Sequence, residues 1–184
     1  MGTALLAARG EALAAAGVGQ VVAVGAPRAT RQPASEAIVD ACLADDEDEA
    51  LRVAATLAAQ GPQVGYLAYP SSKRALSRWV RRECVTAAWA GRGIPLNAVA
   101  PGTVLTPMTT QLLSTPESVA MVDAAVPMPL NGHQSPESVA SLLLWLTDAA
   151  NTHVTGQTIY DDGGADAVLR GDDVWTGTVP SPAG

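Results

Sequence analysis

The stretch Ile94-Pro95-Leu96-Asn97-Ala98-Val99-Ala100 is a short apolar run between Gly93 and Pro101-Gly102. A run of this length, bounded by glycine and proline, is typical of a buried strand. Two similar runs occur elsewhere in the chain, QVVAV at residues 20–24 and GQTIY at residues 156–160. Because helical patterns separate the three runs, the sequence predicts an α/β domain in which the strands are parallel.

Helices are predicted in the segments between these strands. The longest covers residues 69–90, where Leu76, Val80 and Cys84 recur at every fourth position, and Gly93 would end it. The acidic residues 45–49 would lie at the start of another helix, where the helix dipole favours carboxylates, and their spacing fits this better than a calcium-binding loop. The other predicted helices cover residues 2–16, 35–43 and 46–59 and begin at Thr115-Pro116-Glu117 and Ser135-Pro136-Glu137.

Composition and charge restrict the classes of protein to which the chain can belong. With 184 residues, of which 48% are apolar, it can bury a core, so intrinsic disorder does not describe the whole chain. Its 11 basic and 18 acidic residues give a net charge of −7, which argues against a nucleic-acid surface. No apolar run reaches the roughly 18 residues of a membrane span, and the two cysteines lack metal-ligand spacing. We therefore expect a soluble, cytoplasmic protein without a metal, nucleic-acid or membrane partner.

The candidate chemistry lies in Tyr69-Pro70-Ser71-Ser72-Lys73, at the start of the longest predicted helix. Residues four apart share one face of a helix, so the phenol and the ammonium would point the same way. A nearby cation favours the phenolate, which would lower the pKa of the tyrosine from about 10 and make it a usable acid or base. Lys73 is also the single lysine beside ten arginines. By itself, however, the spacing also fits an ordinary pair of surface residues.

The order of motifs after Lys73 gives the pair a context. The long helix is followed by the strand into Pro101-Gly102, then by the Ser-Pro-Glu helix start, and then by Thr155-Gly156-Gln157 leading to Asp162-Gly163-Gly164. Over residues 2–170 this ordered set resembles the C-terminal half of the short-chain dehydrogenase/reductase family. It is most similar to the bacterial 3α-hydroxysteroid dehydrogenase/carbonyl reductase branch, because a helical insertion at 35–60 precedes the tyrosine.

The resemblance implies a role for several residues. Tyr69 would be the catalytic acid/base, and Lys73 would hold the nicotinamide ribose and lower the pKa of the tyrosine. The nicotinamide end of NAD or NADP would be lined by Pro101, Gly102, Val104 and Thr106. The implied reaction is hydride transfer between this cofactor and a secondary alcohol or ketone. The helices over residues 2–16 and 69–90 would form the contact of a homo-oligomer.

Two features depart from the family's pattern. Ala26 falls where the family places its catalytic serine, and loss of such a hydrogen-bond donor typically costs about 10²–10³ in rate. No Gly-x-x-x-Gly-x-Gly turn follows a first strand, so about three βα units, on the order of 90 residues, are missing from the family's front half. We therefore expect residues 1–170 to be the C-terminal portion of a Rossmann-like doubly wound sheet without its dinucleotide-binding units. Residues 171–184 would form a polar tail.

Three hypotheses for the function follow from these observations. The chain is an incomplete NAD(P)-linked oxidoreductase, a half-domain that serves as an oligomerisation or interaction module, or a cofactor-free acid/base catalyst using Tyr69 and Lys73. An in-frame glycine-rich strand-turn-helix upstream of the gene start would separate the first hypothesis from the other two. Because the pyrophosphate loop is missing, we expect these 184 residues alone to bind NAD(P) weakly.

Overall fold

Three short parallel strands form the sheet of the protein. The computed structural model describes residues 20–23 and 33–172. The strands are β1 (Gln20–Ala23), β2 (Leu96–Pro101) and β3 (Thr158–Asp161), in the order β1-β2-β3. Val22 pairs with Ala98, and Val99 pairs with Ile159. The predicted α/β class, the parallel sheet and the place of each strand are confirmed.

Eight α-helices surround the sheet within residues 33–172. They are α1 (Glu36–Leu43), α2 (Glu47–Ala58), α3 (Pro62–Gly65), α4 (Ala68–Glu83), α5 (Pro107–Thr110), α6 (Pro116–Ala125), α7 (Pro136–Thr147) and α8 (Ala165–Arg170). A short 3-10 helix covers Ala90–Arg92. The helix predicted over residues 2–16 and the position of Ala26 lie outside the described residues. No helix in the described part is long and apolar enough to cross a bilayer.

The predicted helix starts are found, with one difference in how they are capped. Asp46 Oδ1 accepts a hydrogen bond from Glu49 N at 2.9 Å, so the acidic run begins α2 as expected. Thr115 caps α6 by accepting from Ser118 N at 3.1 Å. Ser135 is the N-cap residue of α7, as predicted, but its hydroxyl makes no hydrogen bond to the helix backbone. Its interaction with the Glu137 carboxylate lowers the pKa of that group instead.

The long helix predicted over residues 69–90 is shorter in the structure. It ends at Glu83, and the chain continues through tight turns to Gly93, which has a positive φ of 70° and closes the 3-10 helix. The turn begins where the Thr86 hydroxyl donates to the Glu83 carbonyl at 2.8 Å. This path returns Trp89, which is 2% exposed, to the core, where its ring contacts Trp79 edge-to-face at 6.2 Å. The free energy gained by burying the Trp89 indole therefore exceeds the free energy of continuing the helix past Glu83.

Helices α1 and α2 form the predicted insertion, and α1 packs directly on α4. Ile38 and Val39 of α1 are buried. Glu36 forms ion pairs with Arg74 at 3.1 Å and with Arg78 at 2.7 Å across the two helices. One side of α4 is therefore already covered within the chain.

Candidate active site

Tyr69 and Lys73 stand on the first turns of α4, at the carboxyl edge of the sheet. The helix ends before the chain turns back to begin β2, so it runs antiparallel to that strand and starts near its carboxyl end. In open α/β sheets this is the edge at which ligands bind. The first turn is fixed by Ser71, which is fully buried. Its hydroxyl donates to Leu67 O at 2.6 Å and accepts from Ser35 N, at the start of α1, at 2.9 Å.

The structure brings the phenol and the ammonium together, as the spacing predicts. Lys73 Nζ lies 5.6 Å from the centroid of the Tyr69 ring, within the range of a cation–π contact. The Tyr69 side chain is half exposed, and its hydroxyl has no hydrogen-bond partner among residues 33–172. Lys73 likewise forms no ion pair with any residue in that range. Within the described part of the chain, neither polar group has a hydrogen-bond or ion-pair partner that would keep it from contacting a ligand.

The prediction that Lys73 lowers the pKa of Tyr69 is wrong for this chain. Burial raises the pKa of Tyr69 above its usual value of 10.0, and the neighbouring Tyr66 raises it further. Burial outweighs any stabilisation of the phenolate by the Lys73 ammonium, which lies over the ring. The phenol is therefore protonated at neutral pH and is a weaker acid than a free tyrosine.

The four residues predicted to line the nicotinamide end follow one another at the end of β2. Pro101 is buried as the last residue of the strand, and Gly102 comes directly after it. A Cβ on Gly102 would lie 2.7 Å from Met128 Sδ and 3.0 Å from the Cα of Asp162. The absence of a side chain at Gly102 thus allows residues 127–134, which we call the strap, to pass close over the end of the sheet.

Hydrogen bonds fix the strap against the ends of both β2 and β3. Gln134 N donates to Thr103 O at 3.0 Å, and its side-chain Nε2 donates to Asp161 O at 2.7 Å. Leu130 N donates to Gly163 O at 2.9 Å. The loop that carries Val104 and Thr106 is therefore held in a defined path.

The backbone around Val104 fits the carboxamide of a nicotinamide cofactor. Val104 pairs with Gln134 in an isolated parallel bridge, in which Leu105 N donates to Gln134 O at 2.8 Å. This pairing turns the N–H of Val104 away from the strap, and it has no partner among residues 33–172. Thr106 begins α5, and its N–H donates to Thr109 Oγ1 at 2.9 Å. The N–H of Val104 and the ammonium of Lys73, neither of which has a hydrogen-bond partner among residues 33–172, are the groups that would hold the cofactor.

Sequence analysis missed two parts of this site. Tyr66 lies beside Tyr69, with ring centroids 6.0 Å apart, and the spacing Tyr66-x-x-Tyr69 is a signal that could have found it. The strap carries no motif that indicates its contacts. Its role depends on pairing between segments about 30 residues apart in the chain, which local patterns do not encode.

Comparison with known proteins gives the site its context. The family profile described as Enoyl-(Acyl carrier protein) reductase matches residues 47–166, which is well over half of the chain. The chain belongs to the short-chain dehydrogenase/reductase family. The predicted resemblance is thereby confirmed, including its branch. The 3-alpha-hydroxysteroid dehydrogenase/carbonyl reductase of Comamonas testosteroni is 37% identical over 128 residues, which are 70% of this chain and 49% of the relative.

Other members of the family are similar over shorter or comparable spans. Glucose 1-dehydrogenase of Gluconobacter oxydans is 37% identical over 103 residues, 56% of this chain and 37% of the relative. The crystal structure of 3-alpha-hydroxysteroid dehydrogenase from Pseudomonas sp. B-0831, complexed with NADH, aligns with a TM-score of 0.68 and 36% identity. It covers 82% of this chain and 56% of that one. The chain thus spans about half the length of these short-chain dehydrogenases/reductases.

Proposed function

We propose that the chain carries the proton-transfer half of an NAD(P)-linked oxidoreductase that interconverts a secondary alcohol and a ketone. The observation that carries this proposal is the Lys73 ammonium 5.6 Å from the Tyr69 ring centroid, at the carboxyl edge of the sheet. Membership of the short-chain dehydrogenase/reductase family supports the same reaction class. NAD or NADP, when bound, supplies the hydride in one direction and accepts it in the other.

In the reduction direction, Tyr69 donates its phenolic proton to the ketone oxygen while the carbonyl carbon receives the hydride. The product is the neutral alcohol, and the phenolate left on Tyr69 is reprotonated from solvent. Lys73 stabilises that phenolate and binds the hydroxyl groups of the nicotinamide ribose. Val104 donates its N–H to the carboxamide, while Pro101, Gly102 and Thr106 complete the wall beside the ring.

The substrate cleft lies on the segment that follows β2. An open cleft of about 440 Å³ is lined by Leu105, Thr106, Pro107, Thr109, Thr110 and Leu113. Leu105 and Met108 are exposed beside it. An apolar wall with a few hydroxyl groups suits an apolar ketone. Because two similar proteins are named as 3-alpha-hydroxysteroid dehydrogenases, we propose a steroid-like substrate.

The same proposal extends to the organisation of the protein. Residues 1–170 form a partial domain, and residues 171–184 are a tail. The adenosine end of the cofactor would need a glycine-rich turn that these 184 residues do not contain. We propose a cytoplasmic homo-oligomer. Helix α1 covers one side of α4. In the homo-oligomer, α4 would therefore contact the second copy of the chain through its other sides.

Isotope transfer tests the proposed reaction. The chain is incubated with apolar ketones and NADH or NADPH carrying deuterium at C4 of the nicotinamide, and the alcohol is analysed by mass spectrometry. The proposal expects deuterium at the carbinol carbon. Exchange of the ketone's α-hydrogens with D₂O, without transfer of the label, would contradict it and indicate cofactor-free acid/base catalysis. Neither label transfer nor hydrogen exchange, in this chain and in a polypeptide extended by any residues encoded in frame upstream, would indicate a non-catalytic module.

A further inference from the structure

Tyr66 stands at the junction of α3 and α4, one turn before Tyr69. Its N–H donates to Pro62 O at 2.9 Å and ends α3, while its carbonyl accepts from Tyr69 N at 3.1 Å. These two bonds place the phenols three residues apart in a continuous helical path. Residues at this spacing are neighbours on a helix surface, so the two rings lie on the same side.

The two rings form an aromatic contact at the edge of the site. Their centroids are 6.0 Å apart and their planes are tilted by 33°, within the range of favourable aromatic pairs. Tyr66 is 54% exposed and Tyr69 is 39% exposed. The two rings are therefore in contact, and each remains partly open to solvent.

The helical insertion fixes the backbone that carries Tyr66. A Cβ on Gly65 would lie 3.0 Å from the Cα of Ala58, so α3 packs in direct contact with the last turn of α2. A side chain at Gly65 would push α3, and Tyr66 with it, away from this position. The insertion thus has a structural connection to the proposed proton donor.

We propose that Tyr66 is a positioning residue, whose ring, anchored through the packing of Gly65 on Ala58, holds the Tyr69 ring in the orientation used for proton transfer. This inference rests on the proposed function of Tyr69. It explains the presence of a second tyrosine at the site without giving it contact with the reacting atoms.

The electrostatic environment agrees with this arrangement. Among the described residues, the titratable groups in contact with the Tyr69 ring are Lys73 on its own helix and Tyr66 at the junction. Arg74 and Arg78, further along α4, each form an ion pair with Glu36 of α1. Tyr66 raises the pKa of Tyr69, in addition to the effect of burial. Removal of the Tyr66 side chain is therefore expected to lower the pKa of Tyr69, because it removes the second phenol.

Nuclear magnetic resonance of the 184-residue chain, with ¹³C in the tyrosine rings, tests the inference. The chain has three tyrosines, so Tyr→Phe variants assign each signal. We expect Tyr66→Ala and Tyr66→Leu to shift the ring signals of Tyr69 and to move its titration midpoint to lower pH. Tyr66→Phe keeps the ring contact and is expected to leave the Tyr69 ring signals near their original positions. Tyr160→Phe, whose ring contacts Arg170 instead, is the matched control and should change neither.

Unchanged Tyr69 ring signals and an unchanged titration midpoint in both Tyr66→Ala and Tyr66→Leu would overturn the inference. The measurement needs neither cofactor nor turnover, so its failure is distinguishable from a failure of the proposed function. Where ketone reduction is measurable, Tyr66→Ala should lower kcat by about 10-fold with little change in KM, because the donor is misoriented while substrate binding is retained. Tyr66→Phe should restore most of this loss.

Discussion

At the scale of single residues, the carboxyl group of Asp161 is unusual. It ends β3 beside Pro101, and its Oδ2 atom is buried without a hydrogen-bond partner among the described residues. Burial and the neighbouring Asp162 raise the pKa of Asp161 above its usual value of 3.8. The folded state is therefore favoured while this carboxyl is protonated, and that stability is lost as the pH rises through the raised pKa.

We expect Asp161→Asn to raise the free energy of unfolding at pH 7 by about 1 kcal/mol, because it removes a buried carboxylate that lacks a partner. At pH 3 the carboxyl group of Asp161 is largely protonated, so neither Asp161 nor the substituted asparagine carries a charge. The two proteins should then differ little in the free energy of unfolding. Urea denaturation at the two pH values measures this, with Asp40→Asn on the exposed side of α1 as the control for loss of one charge. Equal gains for both variants would contradict the account.

Gly102 provides a second test at this scale. A Cβ there would meet the Met128 side chain and the backbone of Asp162 at 3.0 Å or less, and the backbone cannot easily move away. We expect Gly102→Ala to lower the free energy of unfolding by about 1–3 kcal/mol through overpacking. Gly91→Ala is the matched control, because its Cβ would lie at an ordinary 3.4 Å from Ala87 Cβ. Thermal denaturation of both variants gives the comparison.

Tyr69 and Lys73 show which features of the site could be predicted from the sequence and which could not. The spacing of Tyr69 and Lys73 was sufficient to predict that the two side chains meet, because helix geometry fixes it. The direction of the Tyr69 pKa shift was not predictable, since it depends on burial and on the position of the Tyr66 ring. The position of Tyr66 depends on the packing of α3 on α2, which the sequence pattern does not indicate.

At the scale of secondary structure elements, the contact between α1 and α4 carries a prediction about Ser71. This buried hydroxyl links the first turn of α4 to Ser35 N. Ser71→Ala leaves that N–H without its partner and should lower the free energy of unfolding by about 1 kcal/mol. Ser72→Ala, which removes an exposed hydroxyl from the same turn, should have a smaller effect. A denaturation curve for each variant checks the order, and a larger loss for Ser72→Ala would contradict it.

The elements themselves were predictable where a local signal dominates. Strands β1 and β2 were found because each lies in a short apolar run beside glycine or proline residues, and β2 is buried along its whole length. The end of α4 was predicted too late because the repeat of apolar residues continues past Glu83, while the burial of Trp89 against Trp79 turns the chain. A contact between two distant tryptophans is not visible in the periodicity of one segment.

At the scale of the whole molecule, cofactor binding should be limited because these 184 residues contain no glycine-rich pyrophosphate turn. In the proposed site, the described residues would offer the Lys73 ammonium and the Val104 N–H to the nicotinamide end, which are few contacts for a dinucleotide. We therefore expect isothermal titration calorimetry of residues 1–184 with NADH or NADPH to give little or no binding heat at micromolar concentrations. Micromolar affinity would contradict this expectation.

The sheet also has a consequence for association. Within the described residues, β1 pairs with β2 on one side only, so its other edge is open to pairing with another strand. We expect light scattering at tens of micromolar to detect species larger than a monomer. A single monomeric species would contradict this expectation.

The substitution Tyr69→Phe tests the central claim most directly, because it removes the proton donor and keeps the ring that packs against Tyr66. Ketone reduction is measured with millimolar NADH and NADPH in the polypeptide carrying residues 1–184 and any residues encoded in frame before them. The account predicts that Tyr69→Phe lowers the rate by about 10²-fold or more, while the control Tyr160→Phe retains it and the stability of both changes by less than about 0.5 kcal/mol. Equal rates for Tyr69→Phe and the unsubstituted chain would contradict the assignment of Tyr69 as the proton donor.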